Sequence, residues 1–490
     1  MKAWLSRHHT LILIAALIIG AGLRWARIGT ASLWYDETFS TLTARLSLAQ
    51  ILANAPHGVH PPGYYVLLHF WLQLGHSEVV VRSLSALFSM GAILLIYGFA
   101  RWLFDKSAAA VAAIAMAIAP FQVYFAQEVR MYSLIVLLAI GIMWLFLYSI
   151  ITDKSWLAWI GYIFMATLGL YVHYFTAFLL LGLHFWYLLN VRRYQSKLMA
   201  LLVTDGLIGL LFLPQARQAL TRTTTYLGGE AWQSAPSILS PLTTIYYLLF
   251  GHRAPIGVVP IALFLLLAIL ILTEWESRRR APQPHRFEWV LWLSLLTPLI
   301  TVMAISLLSP RSIYVERSFA VTSPALILLL ARGSTAAPKL SPTPYLMAAL
   351  LLPIVVTLAT HYLTPDPAKP PIRMAVQTIE AGFAAGDVSL HLQEASGLPA
   401  LWYTSIPQKV IDVSGATFTG PTTHRLFGGD IVDWQEAIAG ADRLWLTVMP
   451  GYTGDAQTAV RKAIEQTYPQ VMMEDWGSIQ VYLYDLKREP

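Results

Sequence analysis

The chain contains no cysteine. Disulfides, thiolate zinc sites and cysteine nucleophiles are therefore excluded, and the redox compartment is left open. Charge is also scarce. Asp, Glu, Lys and Arg make up 12% of the 490 residues, against about a quarter in an ordinary soluble domain. Hydrophobic residues make up 56% and the mean hydropathy is +0.57. A chain this long and this apolar reads as a polytopic membrane protein. The net charge of +6 is spread thinly, which excludes a nucleic-acid patch. Lys2 and Arg7 precede an apolar run, as in a signal peptide, but no small-x-small cleavage site precedes Arg24 and Arg27. The N-terminus reads as an uncleaved first span.

Apolar runs fall near 10–28, 79–100, 108–126, 131–151, 156–174, 176–190, 198–214, 256–274, 289–308, 319–333 and 342–361. They predict an all-α membrane domain of about eleven transmembrane helices. The runs 176–190 and 319–333 are short for a ~30 Å hydrocarbon core. Lysine is nearly absent before residue 362, and the few present set the orientation. Lys2, Lys106, Lys154, Lys197 and Lys339 all fall in inward loops if the N-terminus is cytoplasmic, as does the cluster Arg278-Arg279-Arg280. The outward loops then carry no lysine but hold Arg82, Arg130, Arg217, Arg222, Arg253, Arg311 and Arg317. Arginine without lysine fits planar, bidentate recognition of phosphate or carboxylate; capping of helix ends is the plainer role.

Two outward loops are long, 29–78 and 215–255. In the first, Leu42, Leu46, Leu48, Ile51 and Leu52 suit an interfacial amphipathic helix within 40–53, and a second short helix is expected after Pro61-Pro62. The second holds Gly228-Gly229 and reads as a lid or a connector. An odd span count puts the C-terminus outside. Thr364-Pro365-Asp366-Pro367 opens a linker, so the expected division is a membrane domain 1–361 and a soluble extracytoplasmic α/β domain 362–490. Its expected strands are 388–392, 443–448 and 480–486, and its expected helices 374–384 and 456–468.

Polar motifs gather in the outward turns. Trp34-Tyr35-Asp36-Glu37 places two carboxylates at a membrane boundary, where a partly buried acid can take a proton from an acceptor hydroxyl. His60-Pro61-Pro62-Gly63-Tyr64-Tyr65 adds a histidine that suits a metal ligand, a phosphate donor or a helix cap. Gln127-Glu128-Val129-Arg130-Met131-Tyr132 brings three polar groups into one tight turn. Tyr171-Val172-His173-Tyr174-Phe175 and Glu316-Arg317 lie at similar depth. The inward turns are short and basic, so the asymmetry points to an outward-facing site. Tyrosines and tryptophans at these places also serve as ordinary interfacial anchors.

Taken in order, these motifs resemble the GT-C glycosyltransferases, in the branch of the protein O-mannosyltransferases and the lipid A aminoarabinose transferases. The likeness covers about residues 10–335. It implies a polyprenyl-phosphate-linked sugar donor, a lipid, glycan or protein acceptor, and transfer at the outer face with inversion. It maps the catalytic base to Asp36 with Glu37 beside it, and the donor phosphate to Arg130 and Arg317. His60, Glu128, Tyr132, His173 and Tyr174 become further donor or substrate contacts. Some relatives place a divalent ion; His60 and Glu128 are the candidate ligands here, although the leaving phosphate does not strictly require one. Two departures stand out. Glu128 replaces a differently arranged acid, and Ser318 comes between Arg317 and the aromatic Phe319. A transporter or flippase is the rival class, but the internal repeats expected of one are not seen. A non-catalytic scaffold would have no need of the outward acids.

Overall fold

The computed structural model describes residues 2–53, 60–152, 156–228, 235–280, 288–336, 341–412 and 420–488. Lys154, Lys339 and residues 229–234 of the expected lid lie outside the described residues. Contacts divide the chain into two compact units. The first comprises Met1–Ala26, Val59–Tyr64 and Ser83–Thr364; the second comprises Arg27–Gly58, Tyr65–Arg82 and Pro365–Pro490. The loop segments 27–58 and 65–82 thus group with the C-terminal part of the chain, not with the spans that flank them.

The first unit is helical. Among the described residues, eight helices are long and apolar enough to cross a membrane: Lys2–Trp25, Glu78–Leu103, Tyr132–Ile151, Val191–Leu220, Ile256–Glu276, Glu288–Leu308, Glu316–Thr335 and Thr343–Leu363. The chain is an integral membrane protein. The run expected as one span over 108–126 is two helices, Lys106–Ile118 and Pro120–Ala126, bent by 54°. Pro120 cannot donate an amide hydrogen to the preceding turn, so the helix breaks there. The runs near 156–174 and 176–190 form helices of 17 and 14 residues, Trp156–Val172 and Thr176–Leu189. At 1.5 Å per residue neither reaches ~30 Å. Polarity along the first helix is inverted relative to a soluble protein. Leu11, Ile14 and Ile18 are exposed, whereas Arg24 is buried and donates to Ser89 Oγ and to the carbonyls of Gly20, Met116 and Ala117. Gln127 continues this wiring, donating to the carbonyls of Leu23, Arg24 and Ala26 at the end of that helix. The expected outer loop 215–255 is largely helical, in Leu198–Gly228 and Ser240–Phe250.

The second unit contains a six-stranded sheet of order β3-β2-β1-β4-β6-β5: β1 Asp387–His391, β2 Gln408–Ile411, β3 Asp430–Val432, β4 Arg443–Val448, β5 Gln470–Asp475 and β6 Gln480–Asp485. The first four strands run parallel, and β6 pairs antiparallel with both β4 and β5. Alternation along β4 and β6 sends Leu444, Leu446, Tyr482 and Tyr484 to one face and Trp445, Val481 and Leu483 to the other. Helix Ile372–Gly382 covers the second face through Ile372, Val376 and Ile379. Full burial of each such aliphatic side chain is worth about 1.5–3 kcal/mol. In the loop segments of this unit, the helix expected within 40–53 is split and starts earlier. Tyr35–Arg45 ends before Ser47, which caps Leu48–Leu52 by a reciprocal bond with Gln50. Asp36 and Glu37 therefore lie in the first turn of a helix, where its dipole favours carboxylates.

Candidate active site

The two carboxylates of the second unit have different surroundings. Glu37 is 0% exposed and Arg82 is 1% exposed. The Arg82 guanidinium spends its five N–H bonds on both Glu37 oxygens, at 2.7 Å each, and on the carbonyls of Ile28, Ala31 and Ser32. Lys369 Nζ stands 3.7 Å from Glu37 Oε2. A carboxylate held this way fixes the chain around it. Asp36, the preceding residue, is half-buried, and its carbonyl accepts from the Ser40 hydroxyl. Arg82, one of the lysine-free set of arginines, thus serves the fold. Arg253 does likewise, donating to the carbonyl and hydroxyl of Thr364.

In the first unit, turns far apart in sequence converge. Gly63 makes this possible: a Cβ there would lie 2.6 Å from the Tyr171 carbonyl oxygen. Only glycine lets the His60-Pro61-Pro62 turn approach the end of Trp156–Val172 so closely. The His60 and His173 rings lie 5.2 Å apart, and the Tyr132 ring lies 6.3 Å from His173. Burial, followed by the charges of Arg130 and Arg317, drives the His173 imidazole down to about 3. Burial drives His60 well below the ordinary histidine range, with Arg130, His173 and Arg317 adding to the effect. Both rings are therefore neutral at physiological pH.

Neutral His173 has a definite tautomer. The Phe175 amide donates to its Nδ1, so that nitrogen accepts and the proton sits on Nε2. Nε2 is buried and has no hydrogen-bond partner among the described residues, and the same holds for the Tyr132 hydroxyl. Two buried donors beside two guanidinium groups form an environment suited to an anion with several acceptor oxygens. Glu128 is fully buried in the same turn as Arg130, and Tyr174 accepts from Gln215 Nε2 at 3.0 Å. No group of three or more His, Asp or Glu side chains able to hold a metal occurs among the described residues.

Residues 59–217 match the protein family described as dolichyl-phosphate-mannose-protein mannosyltransferase. No curated protein matches the chain. Crystal structures of ArnT from Cupriavidus metallidurans superpose on 97% of this chain and 97% of their own. The TM-score is 0.61 for the apo state at 14% identity, and 0.65 for the state bound to undecaprenyl phosphate at 15% identity. The archaeal oligosaccharyltransferase AglB from Archaeoglobus fulgidus, in complex with an inhibitory peptide and a dolichol-phosphate, superposes with a TM-score of 0.53 at 12% identity. That match covers 98% of this chain and 75% of AglB.

The fold is that of the GT-C glycosyltransferases. The family match takes in His60, Glu128, Arg130, Tyr132, His173 and Tyr174, and stops short of Asp36, Glu37 and Arg317 at either end. One member of the cluster was not singled out from the sequence. Tyr247, on helix Ser240–Phe250, has its hydroxyl raised above the ordinary phenol range by burial, with Tyr132, Glu316 and Glu128 raising it further and Arg317 opposing. Its only sequence signal was a tyrosine pair in a partly apolar loop.

Proposed function

We propose that the chain is an integral-membrane glycosyltransferase that moves a sugar from a polyprenyl-phosphate-linked donor to a lipid, glycan or protein acceptor. The observation that carries this reading is the anion-receptive cluster in which the His173 Nε2 and Tyr132 donors share surroundings with Arg130 and Arg317. The match of residues 59–217 to a dolichyl-phosphate-mannose family supports it, as does the likeness to a structure described as bound to undecaprenyl phosphate.

The reaction is an in-line displacement with inversion. Asp36 takes the proton of the acceptor hydroxyl as its oxygen bonds to the anomeric carbon. The bond from that carbon to the phosphate oxygen breaks, and its electron pair leaves with the polyprenyl phosphate. Arg130 and Arg317 neutralise the leaving phosphate, so the step needs no metal. Glu37 acts at one remove, as the buried partner of Arg82 that fixes the turn carrying Asp36. The lysine distribution supports a cytoplasmic N-terminus, with residues 362–490 and the chemistry on the outer face.

The test uses the purified full chain with a labelled polyprenyl-phosphate sugar. The wild type releases polyprenyl phosphate and forms an inverted product. Asp36→Asn keeps donor binding but slows transfer by about 10²–10⁴-fold, the usual cost of losing a positioned base. Normal turnover in Asp36→Asn sinks the base assignment. Lipid movement across vesicles without sugar release sinks the transferase reading in favour of a flippase.

A further inference from the structure

The sheet of the C-terminal domain reverses its strand order between β1 and β4, which run parallel to each other. In sheets of this kind the crevice beyond the carboxyl ends of the two strands is where a ligand is usually held. Nucleotide-binding versions line that turn with three glycines so that backbone can approach a pyrophosphate. Here the turn reads His391-Leu392-Gln393-Glu394-Ala395-Ser396-Gly397, with a single glycine. Gln393 accepts from the Met449 amide at 2.9 Å and donates to Thr453 Oγ1 at 2.8 Å.

The next residue, Glu394, opens the helix Glu394–Tyr403 and is 1% exposed. A buried carboxylate needs partners. Its Oε1 accepts from His424 Nε2 at 2.9 Å and from the Tyr35 hydroxyl at 3.2 Å. Tyr35 is the first residue of helix Tyr35–Arg45, and Asp36 is the second. The same domain helix grips both flanks of that segment. The Tyr403 hydroxyl accepts from the Leu33 amide at 2.6 Å, and the Arg45 guanidinium lies 3.7 Å from the Trp402 ring centre.

We infer that Glu394 is a positioning residue for transfer, which holds Asp36 in place through the Tyr35 hydroxyl. The crevice that other domains of this topology give to a nucleotide here holds the base-bearing segment of the chain itself. The inference rests on the proposed function only in its kinetic part. A general base works within hydrogen-bond reach of the proton it takes, so loosening its helix lowers turnover and leaves donor binding alone.

The experiment compares the full-length wild type with Tyr35→Phe, Glu394→Gln and Glu394→Ala. It reads backbone hydrogen exchange over 35–45 together with kcat and donor KM. Tyr35→Phe removes one hydroxyl and leaves Glu394 paired with His424, so it keeps the test open if Glu394→Ala does not fold. Exchange over 35–45 rises in Tyr35→Phe and Glu394→Ala while that of β1 and β4 holds. Their kcat falls by about tenfold to a hundredfold at unchanged donor KM, the scale of a hydrogen bond to a charged group. Glu394→Gln, which keeps an acceptor oxygen, stays closer to the wild type. The double variant Tyr35→Phe/Glu394→Ala is no slower than Glu394→Ala alone. Unchanged exchange in Tyr35→Phe overturns the inference, as does a loosened helix with wild-type kcat. If the wild type transfers sugar from no polyprenyl-phosphate donor, the proposed function falls, and exchange alone decides whether Glu394 anchors the segment.

Discussion

Arg82 in the second unit and Arg130 in the first are both buried, and their surroundings differ. In the second unit Arg82 meets a full carboxylate and three carbonyls, and every N–H has a partner. In the first unit burial, with the charges of Arg130 and Arg317 adding to it, holds two histidines neutral. A buried charge with its counter-charge in place is architecture: it costs desolvation and returns a fixed geometry. In the first unit's cluster the histidines are held neutral, and the His173 Nε2 and Tyr132 hydroxyl donors have no hydrogen-bond partner among the described residues.

That contrast is most easily broken at Arg82. Arg82→Leu leaves Glu37 buried and uncompensated, so folding weakens by about 3–5 kcal/mol. The expected reading is a large drop in thermal midpoint and yield. Much of it returns in Arg82→Leu/Glu37→Leu, where no lone charge remains. An unchanged midpoint in the single variant would erase the distinction between the two regions.

The complementary change at the cluster leaves the fold intact. Arg130→Lys or Arg317→Lys keeps the charge but loses the planar fork, and transfer drops by about tenfold to a hundredfold. The thermal midpoint stays near the wild type. Full activity in both single variants removes these arginines from the donor site.

A smaller effect is expected from pH. Folding lowers His173 from an ordinary 6.5 to about 3. Between those values the unfolded chain binds more protons than the folded one, so stability rises with pH across this window. It is lost as the pH falls from 6.5 toward 3. Thermal midpoints measured through that range should fall more steeply in the wild type than in His173→Gln. Equal slopes would mean that burial and the neighbouring arginine charges do not hold the ring neutral.

The least effect belongs to Lys369. It stands 3.7 Å from a carboxylate whose oxygens already accept from Arg82. Lys369→Met should cost no more than about 1 kcal/mol, a value typical of a weakly placed ion pair. A loss as large as that of Arg82→Leu would show that the lysine, not the arginine, neutralises Glu37.

Much of the architecture was legible because it follows from local patterns. Apolar length alone marks helices such as Tyr132–Ile151, since lipid leaves the backbone few other options. The expected strands 388–392, 443–448 and 480–486 correspond closely to β1, β4 and β6, whose apolar runs are continuous or alternating. Strands β2 and β3 have four and three residues, too short for any period to register, and β5 is exposed along most of its length. The start of Tyr35–Arg45 was also hidden, because Trp34 supplies no side-chain cap to announce it.

The sequence by itself determined that the chain enters a membrane, that an α/β domain follows, and which turns carry acids, arginines and histidines. Composition and spacing suffice for that, because burying apolar surface and pairing backbone groups are local demands. Only the tertiary structure decided what each polar residue does. Glu37 and Asp36 are neighbours in sequence, yet one is sealed by Arg82 and the other is half-buried. Arg82 and Arg130 are alike in sequence, yet one meets Glu37 and three carbonyls while the charge of the other falls on His60 and His173. The reason is physical. The state of a buried ionisable group is set by what lies within a few ångströms, and those neighbours come from residues far away along the chain.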